Sequence, residues 1–116
     1  MSIQRIEPGP RMSKAVAHGD TVYLSGQVAD KAKRGSVAEQ TTEILGIIDA
    51  LLAKAGTGKA NILSVNIWLS DIGTFAEMNS IWDKWVDTSQ PPARATVEAR
   101  LAAPDYKVEI ACIAAK

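Results

Sequence analysis

From Val37 onward, residues that avoid water recur at spacings of three and four: Val37, Thr41, Ile44, Leu45, Ile48, Leu51, Leu52 and Ala55. That period lays them on one stripe of an α-helix. Ser36 to Glu39 read S-x-x-E, the form of a capping box. Gly56 follows the stripe as a residue that tolerates positive φ and so stops a helix. The pattern predicts a first helix over about Val37–Ala55. A second stripe, Phe75, Met78, Ile81, Trp82 and Trp85, follows another S/T-x-x-E box, Thr74 to Glu77. Pro91 and Pro92 forbid extension past them, so the second helix covers about Phe75–Val86.

The remaining segments alternate with a period of two. A short strand ending near His18, a Gly19-Asp20 turn and a strand from Thr21 to Gln27 read as a hairpin. Ile62–Ser70 is rich in β-formers. "ARATVEARL" and "KVEIACIA", residues 93–101 and 107–114, form a final strand pair around the loop "AAPDY". A short first strand lies near Ile3–Ile6. The order βββαβαββ predicts one α+β domain over residues 1–116, mainly antiparallel, with two helices on one face of the sheet. Apolar residues on the other strand face imply burial against other subunits. No internal repeat is visible.

The chain has 116 residues, 47% hydrophobic and 22% charged, with 13 basic and 13 acidic side chains. That length suits a single domain burying roughly two thirds of its unfolded surface. Nucleic-acid binding draws on clustered Lys and Arg. The densest basic stretch here, Lys31 to Arg34, reads as a solvated loop, so no nucleic-acid partner is expected. A single cysteine, Cys112, permits no internal disulfide and suits a reducing compartment. The first residues show no signal-peptide pattern, and no apolar run is long enough to span a bilayer. A soluble cytoplasmic protein is expected, without a membrane partner.

Most of the usual chemistry finds no footing. His18 is the only histidine, and no nucleophile stands near it in the sequence, so it reads as a turn residue. Cys112 alternates with Val108, Ile110 and Ala114 and reads as a small buried hydrophobe. No Cys/His pair has ligand spacing, so no metal site is expected. "AGTGKA", residues 55–60, misses the spacing of a phosphate loop and has Ala60 where Ser or Thr would be required. Trp82 and Trp85 match the helical stripe and read as packing. The stretch "PPARATVEAR", residues 91–100, is different. Alternation puts Arg94, Thr96 and Glu98 on one strand face, and Lys107, Glu109 and Ala111 on one face of the next strand. If these two strands pair, Arg94 and Glu109 meet near one edge or pocket. A solvated face with weak ion pairs fits the alternation equally well. Arg94 also stands directly after a rigid proline entry, a suitable mount for a bidentate carboxylate clamp.

These residues resemble the Rid family, also called YjgF, of reactive-intermediate deaminases. The resemblance rests on Pro92-Ala93-Arg94, Val97-Glu98 and Lys107-Val108-Glu109-Ile110, with Ser25-Gly26-Gln27 in "YLSGQVA" and Phe75–Asn79 in "FAEMN". "RMSKAV" and "YKVEI" look most like a short bacterial branch typified by YoaB. The resemblance covers nearly the whole chain. It implies a chorismate-mutase-like α+β fold and a homotrimer with sheets facing inward and sites between subunits. It implies hydrolysis of 2-enamine and 2-imine acids of the 2-aminoacrylate type to 2-keto acids and ammonia, with no cofactor. The substrates would be small carboxylates released by pyridoxal-phosphate enzymes. By position, Arg94 would bind the carboxylate and Glu109 would hold water or a proton. Ser25, Gly26, Asn79 and Thr96 would line the pocket. Met12 stands where the family's well-known members carry a tyrosine, Thr96 replaces a cysteine, and Ala111 replaces a second acid. The Met12 difference keeps open the alternative of a non-catalytic metabolite-binding or regulatory protein using the same pocket.

Overall fold

The first helix, α1, forms where its stripe and both end signals agree. In the computed structural model, which describes all 116 residues, α1 spans Val37–Lys54. Both halves of the capping box are made: Ser36 Oγ accepts from Glu39 N–H, and the Glu39 carboxylate accepts from Ser36 N–H. At the other end Gly56 takes φ +85°. Its N–H donates to Ala53 O at 3.0 Å and Thr57 N–H to Leu52 O at 2.9 Å. This pair of bonds is the Schellman arrangement, which satisfies two carbonyls the helix leaves open.

The second helix, α2, spans Phe75–Trp85, but its expected capping box does not form. A 3-10 turn, Ile72–Thr74, runs directly into it, and the Thr74 hydroxyl donates to Asp71 O at 2.6 Å. The Glu77 carboxylate instead accepts from Ala38 N–H at 2.9 Å, in the first turn of α1. The two helices are thus tied together at one end.

Six strands make one mixed sheet in the order β1-β2-β3-β6-β4-β5. They are β1 (Ile3–Pro8), β2 (Ser13–His18), β3 (Thr21–Leu24), β4 (Ile62–Leu69), β5 (Ala93–Glu98) and β6 (Val108–Ala115). The β2–β3 hairpin turns on Gly19, at φ +60°. The final pair expected from the sequence does not exist. β6 inserts between β3 and β4, antiparallel to both, and β5 lies at the edge, parallel to β4. The loop after β5 therefore carries the chain across β4, whose own backbone groups take up the pairing.

Both helices cover one sheet face. Val22, Leu24, Val65, Ile67, Leu69, Val108, Ile110, Cys112 and Ala114 point to Ile44, Leu45, Ile48, Leu52, Met78 and Trp82 in a single buried cluster. Each large aliphatic side chain buried there contributes about 1.5–3 kcal/mol. The molecule is a slab, 43 × 37 × 21 Å, the thickness of one sheet and one helix layer. On the uncovered face Tyr23, Val97 and Ile113 stay 48%, 50% and 36% exposed. No helix is long and apolar enough to cross a membrane.

Three polar side chains are buried in this cluster: Gln27, Gln40 and Thr41. Gln40, on α1, reaches the loop that precedes β6. Its amide donates to Asp105 O at 2.9 Å, and its Oε1 accepts from Lys107 N–H at 2.8 Å. The Arg34–Asp105 ion pair, 3.0 Å, and the Tyr106 hydroxyl on Asp30 hold the same loop from outside. Arg34 was expected to be merely solvated; its side chain is exposed but paired. Gln40→Leu should destabilise the protein by about 1–3 kcal/mol, because it leaves Lys107 N–H without its acceptor while Asp105 O keeps only the bond from Arg34 N–H, as read from urea unfolding at fixed protein concentration.

Cys112 lies on the core face of β6 and is buried. Burial pushes its thiol up to about 12, because a thiolate in apolar surroundings loses its hydration. Native protein at pH 8 should leave a thiol reagent unreacted, and urea-unfolded protein should consume one equivalent. A raised thiol favours the folded state below the unfolded value of about 8.5. That contribution should fade as pH rises from there towards 12, seen as a falling urea midpoint.

Candidate functional site

The proline pair that ends the α2 connection delivers the chain to β5 as an edge strand. The parallel register sets Val65 beside Arg94, Ile67 beside Thr96 and Leu69 beside Glu98. Val65, Ile67 and Leu69 face the core, so Arg94, Thr96 and Glu98 point to the helix side. There α2 presents Phe75, Asn79 and Trp82, positions i, i+4 and i+7 of one helical face.

Arg94 is seated against all three. Its Nη1 donates to Asn79 Oδ1 at 2.8 Å. Its guanidinium carbon lies 5.1 Å from the centre of the Trp82 ring and 5.7 Å from that of Phe75. Aromatic faces attract a cation without neutralising it. Neither of the chain's ion pairs involves Arg94, so the side chain has no carboxylate partner of its own within 4 Å. Beside it the Thr96 hydroxyl oxygen is buried and has no hydrogen-bond partner. Glu98 is a brace: its Oε1 accepts from Ile72 N–H at 3.0 Å.

Glu109 stands elsewhere. On β6 it pairs with Trp68 of β4, which pairs in turn with Val97 of β5. All three point to the uncovered face, while their neighbours Val108 and Ile110 are fully buried. The Glu109 carboxylate folds against Gly26, just past β3. A Cβ added at Gly26 would fall 2.1 Å from Glu109 Oε2. Only a residue without a side chain lets the acid lie there. Ser25, next to it, donates from Oγ to Lys14 O at 3.1 Å.

The predicted residues therefore form two groups. Arg94, Asn79 and Thr96 meet on the helix side at the sheet edge. Gly26 and Glu109 meet on the open side, with Ser25 next to Gly26 turning its hydroxyl to Lys14 O and the buried Gln27 amide. The condition for Arg94 and Glu109 to meet within one chain, pairing of their strands, is not fulfilled: β4 separates the strands and the two side chains leave opposite faces. The largest cleft, of 650 Å³ beside Arg100, Leu101 and Tyr106, contains neither residue. A smaller one, of 240 Å³, is lined by Met12, Lys14, Gly26 and Gln27 against Ile47 and Leu51 of α1. Met12 reaches solvent there, 53% exposed. No three His, Cys, Asp or Glu side chains come together as a metal site. His18 and the loop after α1 behave as the sequence suggests, and Lys59 of that loop donates to Trp85 O at 2.6 Å. Sequence reasoning missed that Phe75 and Trp82 seat Arg94. Their spacing with Asn79 was the available signal, though nothing local says which strand faces them.

Comparison with known proteins agrees with this architecture along the whole chain. The family model described as endoribonuclease L-PSP matches residues 2–116. A RutC family protein of Haemophilus influenzae is 50% identical over 114 residues, covering 98% of each chain. The RutC family protein YoaB of Escherichia coli is 43% identical over 115 residues, covering 99% of each. The crystal structure of a YjgF-family protein from Neisseria meningitidis superposes with a TM-score of 0.96 at 45% identity. It covers 100% of this chain and 96% of its own. Matched along nearly its whole length by this family model and by these relatives, the chain belongs to the YjgF/Rid family, with YoaB among its near relatives.

Proposed function

We propose that this protein hydrolyses small 2-enamine and 2-imine acids to 2-keto acids and ammonia, at sites shared between the subunits of a homotrimer. The observation that carries the reading is the seat of Arg94. A guanidinium held by one amide oxygen and two aromatic rings, with no acid of its own, is ready for a carboxylate from outside the chain. The unpartnered Thr96 hydroxyl beside it offers a further hydrogen bond to the same guest.

The chemistry asks little of the protein. An enamine acid gains a proton at its β-carbon and becomes an iminium, whose α-carbon is electrophilic. Water adds there, a proton moves to nitrogen, and the carbinolamine expels ammonia as the C–N bond breaks and the C=O forms. Glu109 takes the proton from the attacking water and returns it to the departing nitrogen. Positioned proton transfer of this kind is worth about 10²–10⁴-fold. Arg94 holds the carboxylate so that the α-carbon meets that water. Enzymes that eliminate from amino acids through pyridoxal phosphate release such enamines and would be the source. The family model's name speaks of an endoribonuclease. This chain's 13 basic and 13 acidic residues supply no surplus of charge for tracking phosphates.

The two groups lie on opposite faces, so one chain's Arg94 must meet a neighbour's Glu109. A closed ring of three would also cover Tyr23, Val97 and Ile113. Arg94→Ala should lower kcat/KM for 2-aminoacrylate hydrolysis by about 10²–10⁴-fold, from the loss of two charge-assisted hydrogen bonds. The assay follows keto-acid release beside a dehydratase. No acceleration by the wild-type protein would remove the enzyme reading and leave a binding protein.

Sharing between subunits has its own signature. Arg94→Ala and Glu109→Gln chains, each inactive, should regain up to about one quarter of wild-type activity when unfolded and reassembled together, since each mixed ring holds one intact site. Sedimentation should give three times the 12.4 kDa chain mass. An active monomer would contradict the arrangement.

A further inference from the structure

Gln27 is the buried polar residue that the site described so far leaves without a task. It is 3% exposed. Its backbone is clamped to β6 in both directions, Gln27 N–H to Ile110 O at 2.8 Å and Ile110 N–H to Gln27 O at 3.1 Å. Its side chain folds back on Ser25. Nε2 donates to Ser25 O at 2.9 Å and to Ser25 Oγ at 2.9 Å. The Ser25 hydroxyl hands its own proton to Lys14 O. The bond to Ser25 O holds the peptide unit between Ser25 and Gly26, and the bond to Ser25 Oγ holds the side chain beside it.

That unit is planar and trans. With Ser25 C=O held by the Gln27 amide, the Gly26 N–H points the opposite way, out of the core. It donates to no group of its own chain, although the residue is half-buried and lies beside the Glu109 carboxylate. A backbone donor with no partner in its own chain bonds water or a ligand. We infer that Gln27 is a positioning residue, which holds the Ser25–Gly26 peptide so that the Gly26 N–H donates to an oxygen of a bound small 2-oxo or 2-imino acid. A buried glutamine that merely filled space would be replaced by an apolar residue of equal volume without consequence for that amide. The inference rests on the reading that such an acid binds beside Glu109.

The test is a titration of ¹⁵N-labelled full-length protein with 2-oxobutanoate, followed on assigned backbone amides. In the wild type the Gly26 amide proton should move downfield and saturate. In Gln27→Met, similar in size but without a donor, the Gly26 shift should vanish and affinity should fall about tenfold. The dispersed spectrum of the rest of the chain should persist. Should Gln27→Met not fold, Gln27→Leu is read the same way, since an alkyl side chain cannot donate to Ser25 O. A Gly26 resonance that stays still while other amides respond overturns the inference, as does a Gln27 variant in which it moves as in the wild type. Turnover without the Gly26 shift removes this inference and leaves the deaminase reading standing. The shift without turnover supports it and removes the deaminase reading alone. If no wild-type amide moves at high millimolar 2-oxobutanoate, both fall.

Discussion

A β-strand has two faces and no third, and this chain depends on that constraint. Every residue of β4, β5 and β6 must either join the core under the helices or turn to the open side. Val65, Ile67, Leu69, Val108, Ile110 and Cys112 take the covered face. Arg94 rides with them because its register partner is Val65. Glu109 rides against them because its partner is Trp68. The core thus decides, by parity alone, that a cation and a carboxylate sent out from the strands on either side of β4 leave in opposite directions.

The same core handles its polar exceptions alike. Gln40 and Gln27 are buried amides, and each grips a backbone segment beside a working strand: Gln40 the loop ahead of β6, Gln27 the peptide at Gly26. A buried polar group without partners would cost stability; with partners it specifies one conformation of a loop that has no regular structure of its own. Both segments are held from inside by a buried amide, and one of the chain's two surface ion pairs, Arg34–Asp105, adds a grip on the loop from outside.

Much of this was legible in the sequence. Both helices start and end within a residue of their predicted limits, because stripe, cap and stop are local signals. The hairpin turn at Gly19 and the alternation within β5 and β6 were equally local. Strand neighbours were not. Nothing in "ARATVEAR" says that it lies parallel to a strand about 30 residues upstream, so the supposed β5–β6 pair failed, and with it the single-chain meeting of Arg94 and Glu109. The Thr74–Glu77 box failed for a related reason: Ala38 N–H, distant in sequence, competes for the same carboxylate. Arg94 and Glu109 stood out through resemblance more than pattern. Gln27 did not stand out at all, because a glutamine in a strand-end motif looks the same whether its amide faces water or grips a peptide.

The thinness of the slab has a consequence beyond geometry. One sheet with one helix layer leaves a wall of Tyr23, Val97 and Ile113 in water. On the proposed reading, that wall and the divided chemistry are one fact seen twice. On that reading, too, a chain fresh from the ribosome carries every reactive group and can use none of them. Competence becomes a property of concentration, and in a dilute solution activity falls more steeply than the number of chains.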